Sequence, residues 1–176
     1  GPSTITNTEN DNKLYSEKGF YNTKTDISHF TKNAKLFLKE RTIVGDSLYY
    51  DKNKGFASAT NNIEVIDTLQ NFVTRGNYAE LFEKKDSLYI IKKAVAISIV
   101  DKDSMFVHGD TILVTGKTER RIVRTFHNVK IFKSDLQGKC DSIHTNQQTG
   151  YTKMYRDPVI WSDKNQITGD SIYLQS

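Results

Sequence analysis

The chain has 176 residues, enough for one domain with its own hydrophobic core. Its net charge of +4 is a mild excess of 25 basic over 21 acidic side chains, without the dense basic patch and fold motif typical of nucleic-acid binding. Nine tyrosines, nine phenylalanines and only two prolines favour β-strands, and no stretch approaches the roughly 18 consecutive apolar residues of a membrane-spanning helix.

The N-terminal segment is polar and rich in Asn and Thr from Ser3 to about Lys13. Gly1-Pro2-Ser3 has the sequence of a scar left when an affinity tag is cleaved off. We therefore expect residues 1–13 to be a tag remnant and flexible lead-in, and residues 14–176 to be a single domain excised from a longer protein.

A short phrase recurs along the remaining chain: an acidic residue, a small hydroxyl residue and then an alternating apolar run. The copies are GDSLYY from Gly45, KDSLYI from Lys85, KDSMFV from Lys102, GDTILV from Gly109, CDSIHT from Cys140 and GDSIYL from Gly169. A second apolar segment begins 13 residues before the aspartate in three copies, at Asn33, Asn128 and Asp157. Each unit is therefore a strand, a polar turn and a strand, and such repeats predict an all-β sandwich, roll or solenoid.

The period of two in a strand predicts the inner face of this structure. The second and fourth residues after each aspartate are expected to point inward: Leu48, Tyr50, Leu88, Ile90, Met105, Val107, Ile112, Val114, Ile143, Thr145, Ile172 and Leu174. The glycine before the aspartate suits a bulge or bend, where the Asp and Ser would satisfy local backbone donors. The segment Tyr78–Lys85 has helical propensity, but its place before a repeat phrase favours a strand.

The sequence contains no assembled catalytic or metal site. His29, His108, His127 and His144 lack metal-ligand spacing. Cys140 occupies the glycine position of other repeats, which indicates a small structural residue rather than a nucleophile, and as the single cysteine it forms no internal disulfide. Calcium binding by the stacked aspartates is the alternative, but the nonapeptide glycine-aspartate pattern of calcium-binding β-rolls is absent. We therefore expect no enzyme activity, no cofactor and no metal.

The repeats carry a family resemblance. Apolar segments begin at Asn33, Asn128 and Pro158, and Gly-Asp-Ser-Leu/Ile-Tyr follows at Gly45–Tyr49 and Gly169–Tyr173. This pattern resembles a divergent branch of the OstA/LptA-like family of lipopolysaccharide-transport proteins. The resemblance implies an all-β OstA/LptA-like β-jellyroll, an open V-shaped stack of short strands with solenoid-like repeats. Its two stacked sheets would have strands that run in parallel-like turns.

The resemblance covers roughly Thr31 to Leu174 and departs from the family pattern at Ser98–Asp110, where two phrases crowd together. It implies a periplasmic, non-enzymatic protein that binds and transports lipopolysaccharide, shields acyl chains in an apolar groove and bridges the inner and outer membranes. The implied partners are lipopolysaccharide and other Lpt-type jellyroll domains, added by edge-to-edge strand pairing. A head-to-tail homo-oligomer is also expected, and nucleic acid is not.

An apolar lining is what such a carrier requires. Burying one methylene group is worth about 0.8 kcal/mol, so an acyl chain of about twelve carbons faces roughly 10 kcal/mol against crossing water. The expected groove residues are Leu36, Leu38, Leu48, Val65, Leu88, Ile97, Ile112, Val114, Val129, Ile131, Ile143 and Ile172. The basic cluster of Arg120, Arg121 and Arg124 is the candidate contact for anionic headgroups.

Two other functions stay open. The same inner face would also fill the closed core of a structural β-solenoid from a surface or adhesion protein, which binds only through its outer tyrosines. Without the family resemblance, the residues favour that closed core. The third alternative is a carbohydrate-active enzyme on a β-helix, which requires acidic residues clustered on one outer face.

Overall fold

The computed structural model describes residues 2–6, 12–67, 69, 71–100 and 102–175. They form fifteen strands: β1 Ser3–Thr6, β2 Lys13–Ser16, β3 Lys18–Asn22, β4 Ile27–Phe37, β5 Arg41–Asp51, β6 Phe56–Asp67, β7 Phe72–Phe82, β8 Ser87–Val100, β9 Asp103–Thr115, β10 Ile122–Lys133, β11 Leu136–Asn146, β12 Tyr151–Tyr155, β13 Val159–Ser162, β14 Asn165–Thr168 and β15 Ser171–Gln175. Short 3₁₀ turns occupy Glu83–Lys85 and Thr118–Arg120. Within these ranges no helix has the length and apolar character needed to cross a bilayer.

The strands form one continuous sheet in the order β1-β2-β4-β5-β6-β7-β8-β9-β10-β11-β12-β15. In addition β3 pairs with β4, and β13 pairs with β11 and β14. Every pairing among the described strands is antiparallel, because successive strands are joined by short hairpins. The all-β prediction is confirmed. The parallel-like strand direction implied by the resemblance is wrong, because the strands pair antiparallel.

The N-terminal lead-in contains regular structure. Ser3–Thr6 form β1 and pair antiparallel with β2, so this part of the expected flexible segment is a strand. Residues 7–11 of that segment lie outside the described residues. Farther along the chain, the strand favoured for Tyr78–Lys85 is confirmed for Tyr78 to Phe82, which continue β7. It is wrong for Glu83–Lys85, which form a 3₁₀ turn.

Each long strand is bent near its middle, where the pairing register shifts. On alternate strands the bend is a pair of residues with left-handed φ values of 49° to 65°: Lys32-Asn33, Asn61-Asn62, Lys92-Lys93, His127-Asn128 and Arg156-Asp157. On the strands between them, the bend is the glycine-aspartate of the repeat phrase or its equivalent: Gly45-Asp46, Gly76-Asn77, Gly109-Asp110, Cys140-Asp141 and Gly169-Asp170.

Side-chain hydrogen bonds tie neighbouring bends together. Asn62 Nδ2 donates to Asp46 Oδ2 at 2.9 Å, and Asn128 Nδ2 donates to Asp110 Oδ2 at 3.0 Å. The predicted bend at the phrase aspartate is therefore confirmed. At these two bends its carboxylate accepts from the side chain of the next strand, where the sequence analysis expected a local backbone donor. Asn is one of the few residues that tolerates the left-handed region, which explains its place here.

The line of bends divides the sheet into two half-sheets. Half-sheet 1 contains β1, β2, β13, β14 and residues 34–37, 41–45, 63–67, 72–76, 94–100, 103–109, 129–133 and 136–140. Half-sheet 2 contains β3, β12, β15 and residues 27–31, 47–51, 56–60, 78–82, 87–91, 111–115, 122–126 and 142–146. Their inner faces share one hydrophobic core that extends from Leu14 to Ile172.

Burial within this core confirms the inner face predicted from the repeat. Ile90 and Ile112 are 0% exposed, whereas their strand neighbours Tyr89 and Leu113 on the outer face are only partly buried. Tyr50, Met105 and Leu174 are partly buried and pack against the core. The strands pair in a constant register on each side of the bend, so inward and outward residues alternate regularly within each half of a strand.

Two bend glycines are required by close packing. A Cβ atom on Gly109 would lie 2.3 Å from Thr125 Cγ2, and one on Gly76 would lie 2.4 Å from Ile90 Cγ2. Both neighbours are buried, so neither side chain can move aside. Gly45 differs, because its nearest neighbour, Ala59 Cβ, would be at an ordinary 3.5 Å.

We predict that Gly109→Ala lowers the free energy of unfolding by about 1–3 kcal/mol, the usual cost of an overpacked core. For a chain of this size each kcal/mol corresponds to roughly 2–4 °C in thermal midpoint. Gly45→Ala is the matched control and is expected to be neutral. Equal midpoints for the two variants would show that the bend at Gly109 relaxes freely.

Candidate functional site

The half-sheets separate at the C-terminal end of the sheet. Ile167 of β14 pairs with the buried Ile160 of β13 and therefore points to the inner side, yet it is 53% exposed. A cleft of about 430 Å³ opens between the half-sheets here. Its apolar wall comes from both: Phe72, Ala96, Met105, Val107, Ile131 and Leu136 of half-sheet 1, and Val123, Ile143 and Leu174 of half-sheet 2.

The cleft also holds a few polar groups. Lys133, Asp135 and Gln175 line it near the strand ends, and Lys133 Nζ pairs with Asp135 Oδ1 at 3.0 Å. Two buried oxygens of its wall, Thr125 Oγ1 and Gln147 Oε1, have no hydrogen-bond partner among the described residues. A mainly apolar wall with a few available acceptors and donors is the usual composition of a small-molecule site.

The expected groove residues are mostly part of the closed core. Leu36, Leu48, Val65, Leu88, Ile112, Val114, Val129 and Ile172 are buried there, and Leu38 packs partly buried at its border. Only Ile131 and Ile143 of the expected set also line the C-terminal cleft. The centre of the protein is therefore sealed, and its end is open.

Ile97 does not face inward. The bend at Lys92-Lys93 sets Ala94 and Ala96 toward the core, which leaves Val95 and Ile97 on the outer face of β8. Alanine gives a weak hydrophobic signal, so the sequence pattern wrongly favours Ile97 over Ala96 as an inward residue of this strand. The inner position of the cleft wall at this level is Ala96.

Part of the cleft wall lies outside the expected groove residues. Met105, Val107 and Leu174 belong to the predicted inner face and could have been included in the groove. Phe72, Val123 and Leu136 lie outside the repeat phrases, directly after hairpin turns, and no repeat position marks them. The separation of the half-sheets that exposes them depends on tertiary packing.

A second, smaller cavity of about 260 Å³ lies at the N-terminal end. Ile5, Leu14 and Leu36 form its apolar part, but Tyr21 and Asp26 also line it, and Tyr21 Oη donates to Asp26 Oδ1 at 2.5 Å. Burial and the neighbouring Glu83 raise the pKa of Tyr50, also in the wall, so it stays neutral. Its polar wall makes this cavity a poorer site for an acyl chain.

An ionic cluster lies on the long side of the sheet between the two ends, beside a surface pocket of about 650 Å³ that Glu40 and Arg121 help to line. Arg121, at the start of β10, reaches across to Asp67 at the end of β6, and its Nη2 lies 3.5 Å from Glu40 Oε2. Arg121 Nη2 also donates to Thr118 Oγ1 at 3.0 Å, and Thr118 contacts Glu40. Thr118 and Arg121 lie in the connection between β9 and β10 at the end of half-sheet 2, whereas Glu40 lies in the β4–β5 turn and Asp67 ends β6 in half-sheet 1. We name these four residues the latch.

The latch changes the expected role of the arginine cluster. Arg121 is only 2% exposed and its charge is engaged by two carboxylates, so its guanidinium is not presented at the surface for a headgroup. Arg120 is exposed, and Arg124 donates to Thr115 Oγ1 at 2.8 Å on the outer face of half-sheet 2. The structure does not bring the three guanidinium groups together.

Burial lowers the pKa of Arg121 to about 10, and the nearby charge of Arg41 acts in the same direction. Arg121 is therefore still a cation at neutral pH and keeps its ion pairs. A buried pair of this kind adds little stability by itself, but removing one partner leaves an uncompensated charge in the interior.

We predict that Arg121→Met lowers the free energy of unfolding by about 3–5 kcal/mol, since Asp67 stays buried without its cation. Urea unfolding is the measurement, because guanidinium would screen the charges. Arg120→Met is the neighbouring control on an exposed side chain, and a change within about 0.5 kcal/mol is expected. If the two variants unfold alike, the latch contributes nothing to stability.

No metal site occurs in the part of the chain that the structure describes, since no three His, Cys, Asp or Glu side chains gather there. Cys140 is buried, and desolvation raises the pKa of its thiol to about 11. A buried thiol with a raised pKa is a poor nucleophile.

We predict that a disulfide reagent such as Ellman's reagent labels native Cys140 at pH 8 about a hundredfold or more slowly than the urea-unfolded chain, because its thiolate fraction is that much smaller. Rapid labelling of the native protein would mean that the bend at Cys140 opens readily.

No model of a known protein family matches this sequence, and a search of curated proteins finds no similar sequence. The fold is nevertheless similar to a solved structure. LptH from Pseudomonas aeruginosa, described as the LptA-homologous periplasmic component of the conserved lipopolysaccharide transport device, matches with a TM-score of 0.55 and 18% identity over 61% of this chain and 76% of that one. The fold is an OstA/LptA-like β-jellyroll. The family resemblance of the repeats is thus supported at the level of fold.

Proposed function

We propose that this protein binds and transports lipopolysaccharide, with acyl chains held in the C-terminal cleft. The observation that carries the proposal is an apolar cleft that lies between the half-sheets and opens at one end of the jellyroll. Its volume of about 430 Å³ is within the usual range for ligand sites. The fold shared with LptH, a lipopolysaccharide-transport component, supports the same function.

The cleft meets the physical needs of a carrier. Each methylene that enters it gains about 0.8 kcal/mol relative to water, while the open end leaves a path for release. The free oxygens of Thr125 and Gln147 can bond a polar group of the lipid that enters with the chain. Such a protein binds its lipid without changing it chemically, and we propose a non-enzymatic function.

The continuous lipid groove expected from the sequence would require the two half-sheets to separate further. Ile112 and Val114 become accessible to lipid only when the half-sheets part, and the latch opposes that movement. We propose that the cleft is the resting site and that the inner face from Leu48 to Val129 joins it when the latch opens. Arg120 remains a candidate for headgroup contact because it is exposed.

The wider setting is also proposed. The protein would act in the periplasm, with residues 14–176 as one jellyroll domain of a longer protein. The strand order ends in β1 and β15, and sheet edges of this kind can accept a strand from another Lpt-type jellyroll domain or from a second copy, head to tail. That arrangement would extend the apolar path between the inner and outer membranes.

The first experiment is photo-crosslinking to labelled lipopolysaccharide from position 136. Leu136 lines the cleft and is partly buried, so an adduct is expected. Position 112 is the control in the closed core, and it should give an adduct only when combined with Arg121→Met. Absence of adducts at both positions in folded protein would contradict lipid binding.

A matched pair of variants tests the cleft in solution. Leu174→Glu places a charge in the cleft wall, whereas Tyr173→Glu changes the outer face of the same strand. We predict that the first weakens binding of a fluorescent dodecanoate probe about tenfold or more. Leaving about two methylene groups of the probe unburied already costs that much. The second should bind like the unaltered protein. Equal affinities would place the probe elsewhere.

The sealed centre favours a second candidate, the structural β-solenoid with a closed core. In that case binding would use outer aromatic rings, such as Tyr151 and Tyr173, whose centroids are 5.6 Å apart with Lys153 over Tyr173. Saccharide binding that Tyr173→Glu abolishes, without any acyl-probe binding, would support it.

A further inference from the structure

The outer face of half-sheet 1 carries a continuous apolar row. Ile66, Val73, Ile97, Phe106 and Phe132 are direct cross-strand partners on five adjacent strands, and we name them the outer stripe. Phe132 is 52% exposed, and the rest are partly exposed. An exposed apolar row of this kind on a sheet face marks an interaction surface.

The outer stripe is extended at its two sides. Trp161 follows Phe132 beyond Gln137 in the same cross-strand row. Ile99, which is 58% exposed, lies two residues beyond Ile97 toward the hairpin. On β8 the larger side chains lie on the outer face and the alanines face the core, which explains why the sequence pattern predicts the wrong inner residues.

A cationic row runs beside the outer stripe, two residues nearer the bends. Its charged members are Lys35, Arg75, Lys130 and Lys139, with Glu64 as the one carboxylate, paired with Arg75 at 2.7 Å. The row also contains Val44, Val95 and His108 on the strands between them. Lys139 Nζ lies 5.7 Å from the centre of the Trp161 ring. Two residues of strand separate the rows by about 7 Å along the strands, so the basic side chains lie nearer the bends and the apolar side chains nearer the strand ends.

The outer stripe and the cleft share one edge of the protein. Ile131 and Lys133 line the cleft, and Phe132 between them points to the outer stripe. The same holds on β8, where Ala96 and Ser98 line the cleft and Ile97 lies in the stripe. A molecule at the stripe therefore needs only to pass around the strand ends of half-sheet 1 to reach the cleft.

We propose that the outer face of half-sheet 1 docks on an anionic membrane surface. The outer stripe would lie at the boundary of headgroups and acyl chains, and the cationic row among the headgroups. Apolar side chains beside snorkelling lysines and an interfacial tryptophan are the features of such a surface. The proposal goes beyond lipid binding in the cleft: it assigns the surface from which the cleft is loaded or emptied.

The charge of this face favours a membrane over a second copy of the chain. A copy would bring the same lysines against each other if the face paired with itself, and like charges in contact are unfavourable. An anionic bilayer attracts each lysine near its surface by about 1 kcal/mol and accepts the whole row at once.

The test is flotation of the complete chain with vesicles of phosphatidylethanolamine and phosphatidylglycerol, compared with phosphatidylcholine alone. We expect binding to the anionic vesicles, which salt weakens, and little to the neutral ones. Phe132→Glu and the pair Lys130→Gln with Lys139→Gln should each reduce binding about tenfold or more. Phe20→Glu is the matched control: Phe20 is 57% exposed, close to the exposure of Phe132, and lies on half-sheet 2.

Equal vesicle binding by Phe132→Glu and Phe20→Glu would overturn the proposal, as would no binding at all. Self-association that Phe132→Glu abolishes, without vesicle binding, would also overturn it and assign the stripe to a copy of the chain. Binding of the dodecanoate probe in vesicle-free buffer separates this outcome from failure of the cleft. Phe132→Glu should keep that binding, whereas Leu174→Glu should lose it.

Discussion

The bend in every long strand is the constraint on which the structure depends. A single open sheet has nothing to cover its inner face, and this chain has no α-helix in its described residues to do so. The bends fold the sheet over onto itself, so that both halves of each strand bury one shared core. The left-handed residues that form the bends carry a local cost, and the hydrogen bonds of Asn62 and Asn128 to neighbouring aspartates help to offset it.

Closure and opening follow from the same architecture. Between the bends and the strand ends the two half-sheets are held together by packing in the centre and by Arg121 with Asp67 across the long side. At the C-terminal end, half-sheet 1 continues into β13 and β14 while half-sheet 2 continues into β12 and β15, and the two diverge around the cleft. The inner faces are therefore closed in the centre of the protein and accessible at the cleft.

Much of the fold was predictable because its signals are local. The alternation around Ile90 and Ile112, and the bends at Gly45 and Gly109, follow from residues within a few positions. Ile97 is wrongly predicted to face inward because the bend at Lys92-Lys93 reverses which residues of β8 face the core, and no glycine marks that bend in the sequence. Arg121 was misread because Asp67 is distant in sequence, and the cleft was missed because it arises from the divergence of two half-sheets. The lipid role of the inner face stays a proposal.

The regular spacing of the bends has a consequence for how such proteins vary in size. From Asp46 through Asn77, Asp110 and Asp141 to Asp170, one left-handed bend and one aspartate-type bend recur with each pair of strands. Each pair widens the sheet by about 10 Å, because neighbouring strands lie about 4.8 Å apart. Gain or loss of a whole pair of strands would leave β1 and β2 at one end and β12 to β15 at the other unchanged. The number of repeats therefore sets the width of the sheet, and a change in that number alters the span of the jellyroll without changing its ends.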